Sequence, residues 1–290
     1  MKPAPFAYHA PETVSDVVSL LRDLGEDTKV LAGGQSLVPM MALRLARFDH
    51  LIDLNRVGEL ASIEGQDGTL RVGALVRQAQ IERDRTVAAE VPLLARATPL
   101  IGHFQIRNRG TVGGSLAHAD PAAEYPAVAL ALDAKLELVS AAGTRVVPAS
   151  EFFVSTFMTA VEADEVLTAI DFPVWAGRCG FAVEEVARRL GDFALTGAAC
   201  AVELDDGNRI ARAAIGMFGM GSTPLRAPEA EAALTGNPVT DADVAEVGRT
   251  AAAESEPPGD VHASPAYRRA VGAVVVARAL RAAIEEARRA

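Results

Sequence analysis

The first apolar positions of the chain recur with the period of an α-helix. Between residues 14 and 24 they lie three and four positions apart, which places them on one face of a helix. Thr13 and Asp16 have the spacing of a capping box, and Gly25 is a typical residue at a helix end. The pattern therefore predicts an amphipathic helix that packs one face against a core.

A βαβ unit is predicted after this helix. Residues 28–32 form an apolar run of strand length, residues 37–45 have helical spacing with Pro39 in the first turn, and residues 50–54 form a second apolar run. The residues between the first run and the helix therefore leave the carboxyl end of a parallel strand. Ligands of open α/β sheets bind at that end.

The middle of the chain mixes strands and helices. The dipeptide Asp67-Gly68 is typical of a hairpin turn, and Pro173 ends the last strand of this part. We place a domain boundary near residues 175–180. The predicted strands are residues 61–64, 69–73, 135–139, 143–147 and 166–172, and the predicted helices are residues 74–98 and 121–132.

The last part of the chain has a simpler pattern. Residues 181–186, 194–203 and 209–216 have the length and composition of three antiparallel strands, and two or three helices follow them. Ser264 is expected to cap the last helix, with Pro265 at the first helical position. The predicted fold class is therefore α+β, with a small C-terminal domain that contains a three-stranded antiparallel sheet and helices.

Composition and charge exclude several classes of protein. The chain has 290 residues, enough for two domains, and half of them are hydrophobic, which is typical of a globular protein. Its formal net charge of −10 gives no general attraction to nucleic acid or to anionic lipid. No apolar run has the length of a signal peptide or a membrane span, so we expect a cytoplasmic protein.

The two cysteines limit the metal chemistry of the chain. Cys179 and Cys200 are far apart, and the sequence has no Cys-x-x-Cys motif. An iron–sulfur cluster needs four thiolates, and a structural zinc ion needs a comparable ligand set. We therefore expect no metal site in this chain and two buried thiols in a reducing compartment.

Two similar glycine stretches are the main candidates for ligand binding. Residues 32–37 read AGGQSL and residues 112–116 read VGGSL, and each is expected between a strand or extended segment and a helix. Glycine lets a ligand approach the main chain, and consecutive N–H groups form an anion-binding concavity. Thr111 and Ser115 add hydroxyl groups to the second stretch. Two such loops facing each other would hold an extended diphosphate.

No other motif supplies chemistry of its own. The sequence lacks a Gly-x-Ser-x-Gly elbow, a Gly-x-Gly-x-x-Gly fingerprint and a phosphate-loop lysine. His103 is expected to be a hydrogen-bonded structural residue, whereas His118 is close enough in sequence to Ser115 to reach the same ligand. A redox cofactor with a diphosphate would give the site its chemistry, and the missing Rossmann fingerprint favours FAD in a different fold. We predict no catalytic residue.

Four charged residues near the second stretch have two interpretations each. Arg107 and Arg109 either hold a phosphate or brace the loop against an acidic neighbour. Asp120 and Glu124 lie four positions apart at a predicted helix start, where unsatisfied N–H groups favour a carboxylate without any ligand. The sequence leaves both pairs open.

Three segments together closely resemble one protein family. They are AGGQSL at residues 32–37, IRNRGTVGGSLAHADPAAEYP at residues 106–126 and ARRLGDFALTG at residues 187–197. Their order and sequences resemble those of the FAD-binding medium subunit of the molybdenum hydroxylases. This group includes carbon monoxide dehydrogenase, nicotine dehydrogenase and xanthine dehydrogenase. The resemblance covers essentially the whole chain.

The resemblance implies a fold and a set of cofactor-binding residues. The fold is a vanillyl-alcohol-oxidase-like FAD domain of two α/β subdomains, about residues 1–57 and 58–177, with FAD in the cleft between them and a C-terminal domain at residues 178–290. The diphosphate would be held by Ala32, Gly33, Gly34, Gln35, Ser36 and Leu37 on one side, and by Thr111, Gly113, Gly114 and Ser115 on the other. Further cofactor-lining positions are Ile101, Gly102, Ile106, Gly110, Ala117, His118, Asp120 and Glu124. Val166, Leu167 and Phe193 would lie at the flavin end.

The resemblance also implies partner subunits. A large molybdenum-containing subunit hydroxylates the substrate, a small subunit with two 2Fe-2S clusters relays electrons, and this chain passes them to an external acceptor, in a dimer of heterotrimers. Xanthine dehydrogenases have a lysine near the position of Leu195, and its absence suggests an acceptor other than NAD. Two other functions are considered: a self-contained flavin oxidase with its own small substrate, and a scaffold subunit without flavin.

Overall fold

The first sheet positions the first glycine stretch. The structure is a computed structural model that describes residues 2–290. Three parallel strands, β1 (Ala7–His9), β2 (Thr28–Leu31) and β3 (His50–Asp53), have the order β1-β3-β2. Helix α1 (Val14–Leu24) connects β1 to β2, and α2 (Leu37–Ala42) connects β2 to β3. The predicted βαβ unit is confirmed, whereas the three-residue strand β1 is too short to leave an apolar pattern.

A hairpin and a series of short helices follow. The hairpin pairs β4 (Ile63–Gln66) with β5 (Thr69–Gly73). The prediction of a single helix at residues 74–98 is wrong, because Asp84 caps a new helix and Pro92 begins another. Six helices precede the next strand: α3 (Gln78–Ile81), α4 (Arg85–Glu90), α5 (Pro92–Ala97), α6 (Phe104–Arg107), α7 (Val112–His118) and α8 (Glu124–Ala131).

The second sheet has five antiparallel strands. Besides β4 and β5 it contains β6 (Lys135–Ser140), β7 (Gly143–Pro148) and, after helix α9 (Ala149–Phe152) and a small hairpin of β8 (Phe153–Ser155) and β9 (Met158–Thr159), the long strand β10 (Val166–Pro173). The strand order is β4-β5-β10-β6-β7. The sequence pattern predicts all five strands, and the structure confirms them.

The third sheet forms the C-terminal part. Its strands are β11 (Arg178–Ala187), β12 (Ala194–Leu204), β13 (Ile210–Phe218) and β14 (Leu225–Arg226), paired in that order. The predicted three-stranded sheet is therefore corrected to four strands, because the two-residue β14 is too short to be read from the sequence. Helices α10 (Pro228–Leu234), α11 (Val244–Ala253) and α12 (Pro265–Ala287) follow. No helix within residues 2–290 is both long and apolar enough to cross a membrane.

Helix α8 packs between the second and third sheets. All of its residues are buried, and a Cβ at Gly216 of β13 would come within 2.3 Å of the carbonyl oxygen of Ala127 in α8. Phe181 and Ala199 of the third sheet belong to the same buried apolar cluster as the second sheet. The C-terminal part is therefore packed directly against the part that carries the glycine stretches. Cys179 and Cys200 are free and buried, as predicted.

Candidate cofactor-binding site

The first glycine stretch leaves the carboxyl end of β2. Gly34 has a φ of +74°, a left-handed conformation that glycine adopts without steric cost. The Gln35 side chain donates a hydrogen bond to the Gly33 carbonyl at 3.1 Å, which tightens the turn. Ser36 lies at the start of α2 and makes no side-chain cap hydrogen bond there. The turn thus presents main chain and small polar groups at the sheet edge where ligands bind.

The second glycine stretch differs from its prediction as a loop between an extended segment and a helix. Residues 112–118 are helical, Gly113 and Gly114 lie in the first turn of α7, and the short helix α6 precedes it. The prediction fails because Thr111 is an effective cap: its Oγ1 accepts a hydrogen bond from the Gly114 N–H at 3.0 Å. Gly113 donates to the Ala74 carbonyl at 2.9 Å, so the turn rests on the segment after β5.

The structure brings the two glycine stretches together. A Cβ built on Gly33 would lie 2.4 Å from the carbonyl oxygen of Arg109 and 2.8 Å from the Cα of Gly110. A Cβ on Gly114 would lie 3.4 Å from the Cβ of Ala32 and 4.0 Å from the Gly33 nitrogen. The main chains therefore meet at a separation that only glycine permits. The similar sequences of the two stretches suggest that they face each other, and the structure confirms this arrangement.

A cavity opens beside this contact. Its volume is about 310 Å³, and its lining combines apolar residues, the two glycines of the first stretch and one arginine. The cavity is lined by Leu31, Ala32, Gly33, Gly34, Gln35, Val38, Pro39 and Arg109. Arg109 is exposed, and its side chain has no ion pair with any carboxylate among residues 2–290. Arg109, one of the residues that line the cavity, thus carries a positive charge without an ion-pair partner.

Arg107 braces the chain and does not face the cavity. Its side chain is 11% exposed and pairs with Glu82 through bonds of 2.9 and 3.1 Å. It also donates to the carbonyl oxygens of Ile101 and Gly102, both at 3.1 Å. Gly102 has a φ of +50°, and Ile106 packs against it. Of the two interpretations left open for Arg107, the structure supports the brace.

Residues 117–120 lie at the C-terminal end of helix α7. Ala117 is exposed, and the half-buried His118 ring stacks 5.0 Å from that of Phe157. Burial lowers the pKa of His118, so its ring is neutral at pH 7. Asp120 accepts a hydrogen bond from the Ala122 N–H at 2.9 Å, which gives this carboxylate a structural role in the turn before α8.

Glu124 is a buried carboxyl group. Its side chain is 7% exposed, and burial raises its pKa to about 8, with smaller contributions from Glu185 and Asp120. Burial also raises the pKa of Glu185 on β11, and one oxygen of Glu185 is buried with no hydrogen-bond partner among residues 2–290. The charge of Glu185 thus adds to the effect of burial on Glu124, and at neutral pH Glu124 is mainly protonated.

The predicted flavin-end residues occupy two different environments. Val166 and Leu167 of β10 are buried in two apolar clusters, so their side chains serve packing. Phe193 is 68% exposed on the connection between β11 and β12. That connection reaches the turn before α6, because a Cβ on Gly191 would lie 2.6 Å from the ring of His103. His103 is exposed and its ring has no hydrogen bond within the described chain, so the expected hydrogen-bonded role is wrong.

Sequence reasoning missed Asn55, Arg77 and Gln78. Gln78 packs against Gly110, where a Cβ would meet its Oε1 at 2.3 Å, and its N–H donates to the Gly110 carbonyl at 2.9 Å. Asn55 donates to the Ala32 carbonyl at 2.9 Å and accepts from Arg77 at 2.5 Å. A signal for Asn55 exists in the sequence, since it follows the carboxyl end of β3. Arg77 and Gln78 fall in the segment predicted as one long helix, which hides them.

Comparison with known proteins shows the family of this chain. A family model described as the FAD binding domain in molybdopterin dehydrogenase matches residues 4–175. The chain belongs to the FAD-binding medium subunits of the molybdenum hydroxylases. A second family model, the CO dehydrogenase flavoprotein C-terminal domain, matches residues 181–283.

Relatives in this family match along their whole length. The chain is 42% identical over 288 residues to the 6-hydroxypseudooxynicotine dehydrogenase complex subunit alpha of Paenarthrobacter nicotinovorans, covering 99% of this chain and 97% of the relative. It is 40% identical over 284 residues to the carbon monoxide dehydrogenase medium chain of Hydrogenophaga pseudoflava, covering 98% of each. A solved structure of that organism's carbon monoxide dehydrogenase, in a form that lacks the Mo-pyranopterin moiety of the molybdenum cofactor, matches with a TM-score of 0.96, 41% identity and 99% coverage of both chains.

The family assignment confirms the resemblance found in the sequence. The chain contains a FAD-binding domain and is a subunit of an oxidoreductase of the molybdenum hydroxylase family. Its mixed α/β fold joins that domain to the C-terminal domain of the family's flavoproteins.

Proposed function

We propose that this chain is the electron-transfer flavoprotein subunit of a molybdenum hydroxylase complex. In that role it takes electrons from the 2Fe-2S clusters of a partner subunit and passes them to an external acceptor. The observation that carries the proposal is the main-chain contact of Gly33 with Arg109, beside an open cavity. Main-chain N–H groups of the first stretch and the hydroxyl groups of Thr111 and Ser115 suit an extended diphosphate.

The residues present fit the diphosphate of FAD. A side chain at Gly33 would collide with main-chain atoms across the contact, so glycine keeps the two stretches close enough to share one ligand. Ser36 has a hydroxyl free of a capping bond, and Arg109, one of the residues that line the cavity, carries a positive charge. Small polar donors and a cation beside exposed main chain are what a diphosphate needs.

We assign the holding of FAD to the two glycine stretches and their neighbours. Contact of each residue with FAD is a prediction. On one side the contacts are Ala32, Gly33, Gly34, Gln35, Ser36 and Leu37, and on the other they are Gly110, Thr111, Gly113, Gly114 and Ser115. Ile101, Gly102, Ile106, Ala117, His118, Asp120 and Glu124 continue the site, and Val166, Leu167 and Phe193 complete it.

FAD, when bound, supplies the redox chemistry of this subunit. The chain's own residues bind and orient it. Arg107 fixes the turn at Ile101 and Gly102 through hydrogen bonds to both carbonyl oxygens, so this wall of the site is rigid. The exposed Phe193 offers an aromatic face for the flavin ring. No residue acts as a covalent or acid–base catalyst in this proposal.

The proposed architecture is a vanillyl-alcohol-oxidase-like FAD domain with a separate C-terminal domain. Its subdomains are residues 1–57, which hold the parallel sheet, and residues 58–177, which hold the five-stranded sheet. Residues 178–290 hold the third sheet and its helices. The family models support this division, since one stops at residue 175 and the other begins at residue 181.

The proposed assembly is a dimer of heterotrimers in the cytoplasm. Each heterotrimer combines this chain with a large molybdenum-containing subunit and a small iron–sulfur subunit. The names of the relatives support a multi-subunit complex, since one is a complex subunit alpha and another a medium chain. Full-length coverage of those subunits favours this role over a self-contained flavin oxidase, which would need its own substrate domain.

Co-purification tests the proposal. The tagged chain is expressed in its native host, purified with its partners, and examined by visible absorption and by iron and molybdenum analysis. We expect flavin absorbance together with iron and molybdenum in fixed ratio. A colourless complex would overturn the proposal. A yellow protein without metal-containing partners that oxidises a small substrate itself would support the flavin oxidase instead.

A further inference from the structure

Arg77 connects the segment before the second glycine stretch to Asn55, which follows strand β3. It lies after β5, where its backbone bridges Thr111. Its Nη1 donates to the carbonyl oxygen of Arg109, the same oxygen that lies against Gly33. Its Nη2 donates to the Asn55 Oδ1 at 2.5 Å. One guanidinium group is therefore hydrogen-bonded to the segment that leads into the second stretch and to Asn55 at once.

Asn55 continues this connection to the first glycine stretch. Its Nδ2 donates to the carbonyl oxygen of Ala32 at 2.9 Å. Its own N–H donates to the Asp53 Oδ1 at 2.9 Å, which anchors it at the end of β3. A continuous path of hydrogen bonds thus runs from Arg109 through Arg77 and Asn55 to Ala32.

The carbonyl oxygens at both ends of this path set the direction of the neighbouring N–H groups. A trans peptide is planar, so its C=O and N–H point in opposite directions. Holding the Ala32 oxygen toward Asn55 therefore points the Gly33 N–H away from Asn55. A diphosphate bound by the Gly33 N–H would lie on that opposite side.

Arg77 carries a positive charge that forms no ion pair with a carboxylate. Its hydrogen-bond partners are a carbonyl and an amide oxygen, and no carboxylate lies within 4.0 Å of its guanidinium among residues 2–290. Its burial, followed by the nearby charge of Arg109, lowers the pKa of Arg77, and the charge of Asp53 acts in the opposite direction. Two neighbouring cations without carboxylate partners create a local demand for an anion.

We propose that Arg77 and Asn55 are positioning residues that fix the spacing and orientation of the two glycine stretches for a diphosphate. The inference rests on the proposed function, because FAD supplies that diphosphate. Neither side chain needs to touch the ligand. Their effect passes through the carbonyl oxygens of Arg109 and Ala32.

Substitutions in the full chain test this role through FAD affinity. Arg77→Gln, Asn55→Leu and the double variant are prepared without FAD, and the dissociation constant is measured from flavin fluorescence. We expect each single variant to weaken FAD binding about tenfold or more, as for the loss of hydrogen bonds to a charged group. The double variant should lose little more FAD affinity than the single variant that binds FAD more weakly, because both changes break the same path of hydrogen bonds.

Three further measurements separate positioning from general stability. Arg77→Lys keeps the positive charge but loses the guanidinium group that donates to two acceptors at once. It should therefore recover part of the FAD affinity lost in Arg77→Gln. Arg83→Gln removes an exposed arginine of the same segment and should bind FAD like the wild type. Hydrogen exchange of the FAD-free variants should accelerate at residues 33–36 while the buried strands stay protected, a change that a uniformly weakened fold would not give.

The outcomes distinguish this inference from the proposed function. A wild-type chain that binds no FAD would overturn the proposed function. A wild-type chain that binds FAD, with Arg77→Gln and Asn55→Leu within twofold of its affinity, would overturn the positioning role alone. If Arg77→Gln fails to fold, Arg77→Lys and Asn55→Leu carry the same comparison.

Discussion

Gly33 lies against the main chain of Arg109, so closely that a Cβ on Gly33 would come within 2.4 Å of the Arg109 carbonyl oxygen. The contact joins the end of a parallel strand to the segment that leads into helix α7. Because backbone atoms cannot move aside as a flexible side chain does, this pair fixes how far apart the two glycine stretches lie.

The Gly33→Ala variant tests that contact. A methyl group at this position would push the stretches apart, so we expect loss of most bound FAD from a chain that remains folded. The ratio of flavin to protein absorbance after gel filtration measures the loss. Gly58→Ala is the matched control, since a Cβ at Gly58 meets no atom within 4 Å. Equal flavin content in both variants would show that the spacing does not matter.

The Gly114→Val variant tests the second stretch. A Cβ at Gly114 would lie 2.7 Å from the Thr111 Oγ1, which caps helix α7 through the Gly114 N–H. The larger side chain should therefore displace the cap and abolish FAD retention, while circular dichroism shows an intact fold. Stoichiometric FAD in this variant would mean that the turn does not approach the diphosphate.

The Arg107→Met variant tests the brace at Ile101 and Gly102. It leaves two carbonyl oxygens and the Glu82 carboxylate without their partner, so the free energy of unfolding should fall by about 1–3 kcal/mol. Urea denaturation of the FAD-free chain measures this. The exposed Arg83→Met change serves as the control and should have little effect. An unchanged urea midpoint for Arg107→Met would contradict the brace.

The buried carboxyl of Glu124 predicts a pH dependence of stability. Its pKa is raised from 4.5 to about 8 in the folded chain, so the folded state keeps a proton that the unfolded state releases between these values. Stability from this group is therefore present below pH 4.5 and falls as the pH rises toward 8, by at most about 1.4 kcal/mol per pH unit.

The Glu124→Gln variant isolates this contribution. Urea denaturation of the FAD-free chain between pH 5.5 and 7.5, about the middle of that window, should show a smaller loss of stability in the variant than in the wild type. Some slope should remain, because the raised pKa of Glu185 acts in the same direction. Equal slopes in the two proteins would show that Glu124 is not protonated in the fold.

Much of the fold is visible in the sequence because its signals are local. The cap at Thr13, confirmed by a 3.1 Å bond from the Asp16 N–H, and the alternation in the long strands depend on neighbouring residues only. The glycine stretches are likewise recognisable from composition. Their similar sequences suggest that the two stretches face each other, and the structure provides the distances between them.

Other features depend on contacts between distant residues and cannot be predicted from local patterns. The roles of Asn55 and Arg77 arise from hydrogen bonds to Ala32 and Arg109, which are far away along the chain. The short strands β1 and β14 exist only because neighbouring strands pair with them. Arg107 and Arg109 look alike in sequence, and only the position of Glu82 shows which of them is the brace.

A structure of the purified complex with FAD bound is the most direct test of the central claim. We predict that the FAD diphosphate lies between residues 32–36 and residues 110–115, within hydrogen-bond distance of main-chain N–H groups of the first stretch and of hydroxyl groups of the second. A diphosphate bound elsewhere, or held by only one of the two stretches, would contradict the account.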